Sequence, residues 1–304
     1  MEPASQTPAD GFGKRLRMAL EMIKFEHSVF ALPFALTGAL LALGEVPAAS
    51  GNWRWKLGWI VAAMVGARSA AMTFNRLADA SIDARNPRTA NRHLPAGTLS
   101  RRFAWGLLAA GVAVFLLAAR ALNPLCFRLA PLVLAVVFLY SYTKRFTALS
   151  HLVLGFALGM APAAAWIAMT GALDARILWL TAAVTCWTAG FDIIYSCQDY
   201  DFDRRERLFS LPARLGIGGA LWVARALHAG MLGCLLALAA GFHLGWLSLC
   251  GVGVVATLLV FEHRLVKAGD LSRVNAAFFT VNGWVSMLFF VFWAADVWLA
   301  RRGA

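Results

Sequence analysis

Nine apolar segments, near residues 26–44, 57–78, 103–121, 124–143, 149–170, 176–198, 217–241, 243–262 and 275–299, are each long enough to cross a bilayer. Nothing else in the chain restricts its fold as much, because backbone amides inside hydrocarbon must find partners within their own segment, and a helix supplies them. Composition agrees: of 304 residues, 60% are hydrophobic and only 14% charged, with a mean hydropathy of +0.66. The expected fold is an all-α integral membrane protein, a bundle of about nine transmembrane helices. The opening MEPASQTPADGFGKRLRM lacks a short apolar core before a small-residue cleavage site, so no removable signal peptide is expected. Residues 1–13 read as a flexible tail and residues 14–304 as a single transmembrane domain.

A formal charge of +12 could indicate a nucleic-acid partner. Topology accounts for it better. With a cytoplasmic N-terminus, the inside receives Lys14, Arg15, Arg17 and Lys24, the run from Arg76 to Arg102, Lys144 with Arg145, the Arg204 to Arg214 group, and Arg264, Lys267 and Arg273. The outside receives far fewer, among them Arg54, Lys56, Arg120, Arg128 and Arg176. That bias places the N-terminus inside and the C-terminus outside, and no nucleic acid is needed. Cys126, Cys186, Cys197, Cys234 and Cys250 are scattered singly through apolar stretches, with neither metal-site nor disulfide spacing, and read as small buried hydrophobes.

Carboxylates contribute little to orientation and are costly near hydrocarbon, so those at membrane helices are functional candidates. In NRLADASID, Asn75, Asp79 and Asp83 are spaced four apart and share one helical stripe, with Arg68 seven residues before Asn75 on the same arc. In FDIIYSCQDYDFDRRERLF, Asp192, Tyr195, Asp199 and Asp203 form a second stripe at the end of the sixth segment, with Asp201 pointing away. The first group lies at the matching end of the second segment. Each is followed by an Arg-rich loop, an architectural echo of duplication. Carboxylates at i and i+4 suit Mg²⁺, which takes one or two of them together with waters and substrate phosphates, while nearby Arg and Lys suit the remaining phosphate oxygens. A diphosphate on a lipid-soluble chain fits both requirements. The competing reading of these residues is ordinary helix-end ion pairing, Arg76 with Asp79 or Asp83 and Asp203 with Arg207.

NRLADASID resembles the NxxxDxxxD motif, and YSCQDYDFD the YxxxDxxxD motif, of the UbiA superfamily of intramembrane aromatic prenyltransferases. The TANRHLPAG loop and the YSYTKRFT segment after helix 4 extend the resemblance to nearly the whole chain. It implies helices bundled around a central cavity open to lipid, capped on the cytoplasmic side. It also implies that Asp79, Asp83, Asp199 and Asp203 bind Mg²⁺, and that Asn75, Arg68, Lys144, Arg145 and Arg92 face the prenyl diphosphate. The loop here reads RHLP where the family more often has RPLP, so His93 departs from the pattern. Within the superfamily the chain looks most like bacterial 4-hydroxybenzoate polyprenyltransferase-like members, particularly those of the menaquinone branch that starts from futalosine. The expected reaction is Mg²⁺-dependent transfer of a polyprenyl group to 4-hydroxybenzoate or a dihydroxynaphthoate, in quinone biosynthesis at the bacterial inner membrane. No obligate protein partner is inferred.

Departure of diphosphate would leave an allylic cation, for which Tyr140, Tyr142, Tyr195 and Phe74 are the aromatic candidates. Asp192, one turn before Tyr195, is the candidate base or the group that orients the acceptor hydroxyl. Lys24 and His27 are candidates for the acceptor carboxylate. His151, His228, His243 and His263 form no ligand-spaced pair and read as isolated interfacial residues. Two rivals stand. One is another prenyl transfer of the same superfamily, to haem or homogentisate; the other is a secondary transporter for an anion, which would place its carboxylates at mid-membrane in interrupted helices.

Overall fold

Among the described residues the chain runs as ten α-helices: α1 (Ser28–Glu45), α2 (Trp53–Arg85), α3 (Arg101–Leu122), α4 (Pro124–Thr143), α5 (Ser150–Thr170), α6 (Leu178–Ser196), short α7 (Tyr200–Arg205), α8 (Leu211–Gly241), α9 (Trp246–Leu265) and α10 (Asn282–Gly303), all from Ser28 onward. A computed structural model describes residues 28–45 and 52–303, with Gly13, Arg17, Met18, Glu21 and Met22 ahead of them. Apart from Gly13, the expected tail at 1–13 lies outside the described residues. Among the described residues eight helical stretches are long and apolar enough to span a membrane, and α1 adds a shorter apolar one, in agreement with the expected multi-pass bundle.

Helix ends follow local chemistry. Ser100 accepts from the Phe103 amide at the start of α3, Asn123 from Cys126 at the start of α4, and Ser210 from Ala213 at the start of α8. Pro124 and Pro212 occupy first-turn positions, where a missing N–H costs nothing. Two boundaries depart from the apolar pattern. Helix α2 continues seven residues past position 78 to Arg85, and the polar residues there find partners on the turn after α4 and on the loop after α2. Helix α8 begins at Leu211 and breaks at Gly216 (φ 72°), so its continuous membrane portion starts at the expected residue 217.

Consecutive helices pack side by side and α10 returns to α1, which closes a ring; α1 also packs against α5. Helix α2 carries the first acidic motif and α6 leads into the second, and residues of both line an interior cavity. The α5–α6 seam is close. Added Cβ atoms at Gly155 and Gly159 would lie 2.3 Å from the Thr185 carbonyl oxygen and 2.6 Å from that of Thr181, so the two backbones touch through a small-residue stripe. His151 lies one turn before Gly155 on that stripe. Fully buried Phe34 stacks on Phe289 at 4.6 Å and meets Trp187 at a tilt at 4.9 Å, filling the ring one turn beyond Phe30 and Phe191. At the far end of α10, buried Asp296 accepts from the Ser248 amide and hydroxyl and caps α9 from a neighbouring helix.

Candidate active site

A cavity of about 1000 Å³ opens between these helices, and all four motif aspartates line it. From α2, Asp79 accepts from Lys144 Nζ at 2.6 Å and from Asn75 Nδ2 at 3.2 Å through the same oxygen, Oδ2. Its Oδ1 is buried with no hydrogen-bond donor, and the Arg145 guanidinium stops 3.7 Å away. One turn on, both oxygens of Asp83 accept from Arg92 Nη1 at 2.8 Å, while buried Arg76 approaches to 3.9 Å. The Arg92 loop is tied down by Thr89, whose hydroxyl donates to the Asp83 carbonyl, and by a Thr98–His93 hydrogen bond at 3.1 Å. Position 93 therefore braces the loop internally.

On the opposite wall, Asp199 accepts from Arg88 Nε at 2.9 Å and in a closer contact from Nη2, and Asn86 Nδ2 adds a third donor at 3.0 Å. Burial pulls the Arg88 guanidinium down, but the hydrogen bonds and charge of Asp199 outweigh it and raise the group above the ordinary arginine value. Arg88 also donates to the Tyr195 hydroxyl at 3.3 Å and lies 5.4 Å above that ring. The loop after α2 thus bridges both motifs, and the Arg85–Glu206 pair at 2.8 Å ties it to the loop after α7.

The second stripe is not one continuous α-helix. A 3-10 turn at Cys197–Asp199 separates α6 from α7, and this tightening keeps Asp192, Tyr195, Asp199 and Asp203 on the cavity side. Exposed Asp201 faces away, as expected.

Among the described residues no three His, Cys, Asp or Glu side chains converge to hold an ion by themselves. The donor set still fits Mg²⁺. It offers one carboxylate pair per wall, an orphaned Asp79 oxygen and flexible cations able to re-pair with phosphate, and Mg²⁺ ordinarily completes its shell with waters and substrate oxygens.

Deeper in the cavity the lining turns apolar, with Leu154, Leu158, Phe191, Phe278 and Phe279, and Arg68 is part of it. Several expectations change here. Tyr140 and Tyr195 line the cavity, but Phe74 and Tyr142 pack against each other outside it at 5.8 Å. Phe278, 4.2 Å from Tyr195, belongs to the aromatic wall instead. It comes from a π-helical turn, Ala276–Val281, that no periodicity signals. His151 is not isolated: its Nδ1 lies 2.6 Å from Asp192 Oδ2. Nor are His228 and His263, paired at 3.0 Å beside buried Glu262. Their spacing of 35 residues hides the contact from the sequence. Arg88 and Asn86 read only as loop polarity, and nothing local marks them as partners of Asp199. Lys24 and His27 lie outside the described residues.

The sequence matches the UbiA prenyltransferase family over residues 31–298. It is 31% identical over 231 residues to the 4-hydroxybenzoate octaprenyltransferase of Vibrio atlanticus (strain LGP32), covering 74% of this chain and 81% of that protein. To the protein of the same name from Shewanella denitrificans it is 29% identical, with 75% and 78% covered. The apo structure of a UbiA homolog from Aeropyrum pernix K1 superposes with a TM-score of 0.80 at 36% identity, covering 89% of this chain and 98% of that one. A UbiA homolog from Archaeoglobus fulgidus bound to GPP and Mg²⁺ shares the fold at 20% identity, with a TM-score of 0.71 and coverage of 92% and 99%.

Proposed function

The chain belongs to the UbiA prenyltransferase family, and on that premise we propose that it transfers a polyprenyl group from a polyprenyl diphosphate to a hydroxylated aromatic acid, 4-hydroxybenzoate before a dihydroxynaphthoate, in respiratory quinone synthesis. One observation carries the reading. Two pairs of carboxylates, with Lys144, Arg88 and Arg92 between them, close one end of a cavity whose deeper walls are apolar and aromatic. The charged end suits the diphosphate and the apolar depth suits its chain. Relatives named 4-hydroxybenzoate octaprenyltransferase support that choice of acceptor. The Arg-rich loops support a charged end on the cytoplasmic face, in a bacterial inner membrane with the N-terminus inside.

Asp79 with Asp83, and Asp199 with Asp203, would hold Mg²⁺, which supplies positive charge to a departing diphosphate. Lys144, Arg88 and Arg92 exchange their aspartate partners for phosphate oxygens as the substrate enters, and Asn75 keeps Asp79 oriented. Arg68 and Arg145 add positive field from the cavity depth and its rim. The allylic C–O bond breaks with its electron pair going to diphosphate, and the faces of Tyr195 and Phe278 shield the cationic carbon. The ring carbon beside the acceptor hydroxyl then forms the new C–C bond, with Asp192 taking the hydroxyl proton. The anion-transporter alternative fits poorly, since Asp79 and Asp83 occupy the last two turns of an unbroken α2.

The test uses membranes containing the protein, a labelled polyprenyl diphosphate, Mg²⁺ and either 4-hydroxybenzoate or a dihydroxynaphthoate. A prenylated acid is expected. Mg²⁺-dependent diphosphate binding without product from any aromatic acid would refute the acceptor class.

A further inference from the structure

Building on the proposed transfer, we infer that His151 is a positioning residue for the acceptor, fixing the Asp192 carboxylate so that one oxygen faces the substrate hydroxyl. The ring comes from the first turn of α5 and is 4% exposed. Its Nδ1 lies 2.6 Å from Asp192 Oδ2, and its Nε2 faces the backbone amide of Leu211 at 3.5 Å. Leu211 opens α8, where first-turn amides have no partner in their own helix. An amide can only donate, so Nε2 accepts. The proton is then on Nδ1 and is donated to Asp192.

This geometry decides what the carboxylate can do. With Oδ2 held by His151, the carboxylate's rotation is restricted, and Oδ1 accepts no hydrogen bond among the described residues. Both side chains line the cavity beside Thr188, Phe191, Leu154 and Leu158, a slot with apolar walls suited to an aromatic ring. Asp192 precedes Asp199 by seven residues, roughly 10 Å along the helix, enough for one ring and the reactive carbon of the prenyl group. A histidine serving only to fill the core would not face a cavity carboxylate through one nitrogen while a helix terminus fixes the other.

The chemistry balances without a further reactant. Asp192 Oδ1 takes the hydroxyl proton as the adjacent ring carbon bonds to the prenyl carbon and the C–O bond to diphosphate breaks. The dienone formed then loses its ring proton and the oxygen is reprotonated, so one proton leaves with the diphosphate.

The experiment compares steady-state kinetics of wild type, His151→Ala, His151→Asn, Asp192→Asn and the His151→Ala/Asp192→Asn double variant, with Mg²⁺-dependent prenyl diphosphate binding measured on each. His151→Ala should lower kcat about tenfold or more through lost orientation, with prenyl diphosphate affinity unchanged. His151→Asn, whose amide can still donate to Oδ2, should restore most of the rate. An acceptor with a fluorine beside the hydroxyl, already more acidic, should narrow the His151→Ala deficit. In the Asp192→Asn background the His151 substitution should add nothing. A His151→Ala rate within twofold of wild type, a deficit additive with Asp192→Asn, or an Asn variant no better than Ala overturns the assignment. A wild type that prenylates no aromatic acid defeats the underlying reaction instead, so the two failures are distinguishable.

Discussion

Substituting Gly155 by alanine tests whether the α5–α6 seam sets the deep end of the cavity. The new Cβ would lie 2.3 Å from the Thr185 carbonyl oxygen, 3.1 Å from its carbon and 3.3 Å from Ala189 Cβ. A carbon and a carbonyl oxygen settle near 3.4 Å, so the helices must part by about 1 Å, and overpacking of this kind costs about 1–3 kcal/mol. The same displacement one turn away would stretch the His151–Asp192 contact from 2.6 Å to about 3.6 Å, beyond hydrogen-bond range. Stability and turnover should therefore fall together. Unfolding by graded SDS addition reads the first, and prenylation of 4-hydroxybenzoate at saturating diphosphate reads the second. Gly106→Ala is the control, since a Cβ there meets nothing within 4 Å; it should be neutral or gain about 0.5–1 kcal/mol from helix propensity. A Gly155→Ala protein that unfolds like wild type and turns over at full rate would refute the close approach and the positioning it is argued to provide.

Chelation by EDTA, Asp79→Ala and Asp199→Ala should each abolish product, and labelled product persisting under any of them would refute the two-motif reading. Arg88→Lys keeps the charge but loses the fork onto Asp199, so the KM for prenyl diphosphate should rise about tenfold, equivalent to about 1.4 kcal/mol, with aromatic-acid KM unchanged. Asn282→Leu strands Trp187 Nε1 and Glu262 Oε1, each otherwise paired with Asn282 at 2.7 and 2.9 Å, and should cost about 1–3 kcal/mol per orphaned group in SDS unfolding. Glu262→Gln presents the same accepting oxygen to Asn282 and should leave stability nearly unchanged.

Much of this protein is legible along the chain because its signals are periodic and local. Hydropathy gives the spans, and four-residue spacing places Asn75, Asp79 and Asp83 on one stripe wherever the helix is packed. Segment 217–241 likewise emerges from composition, whereas the break at Gly216 appears only in the folded chain. Contacts between distant segments carry no such period. The Arg88 bridge to Asp199, the His151–Asp192 pair and the His228–His263 pair join residues 111, 41 and 35 positions apart, and their partners are fixed only when glycine stripes and loop crossings bring those backbones together. The π turn that presents Phe278 and Phe279 is held at its end by Asn282, whose side chain donates back to the Ala277 carbonyl at 3.2 Å. The sequence by itself therefore determined a helical membrane protein with two acidic helix ends, because bilayer thickness and helical pitch are properties of a single segment. Only the tertiary structure decided which cation neutralises which aspartate and that His151 meets Asp192 through Oδ2, because those depend on how closely two helices approach.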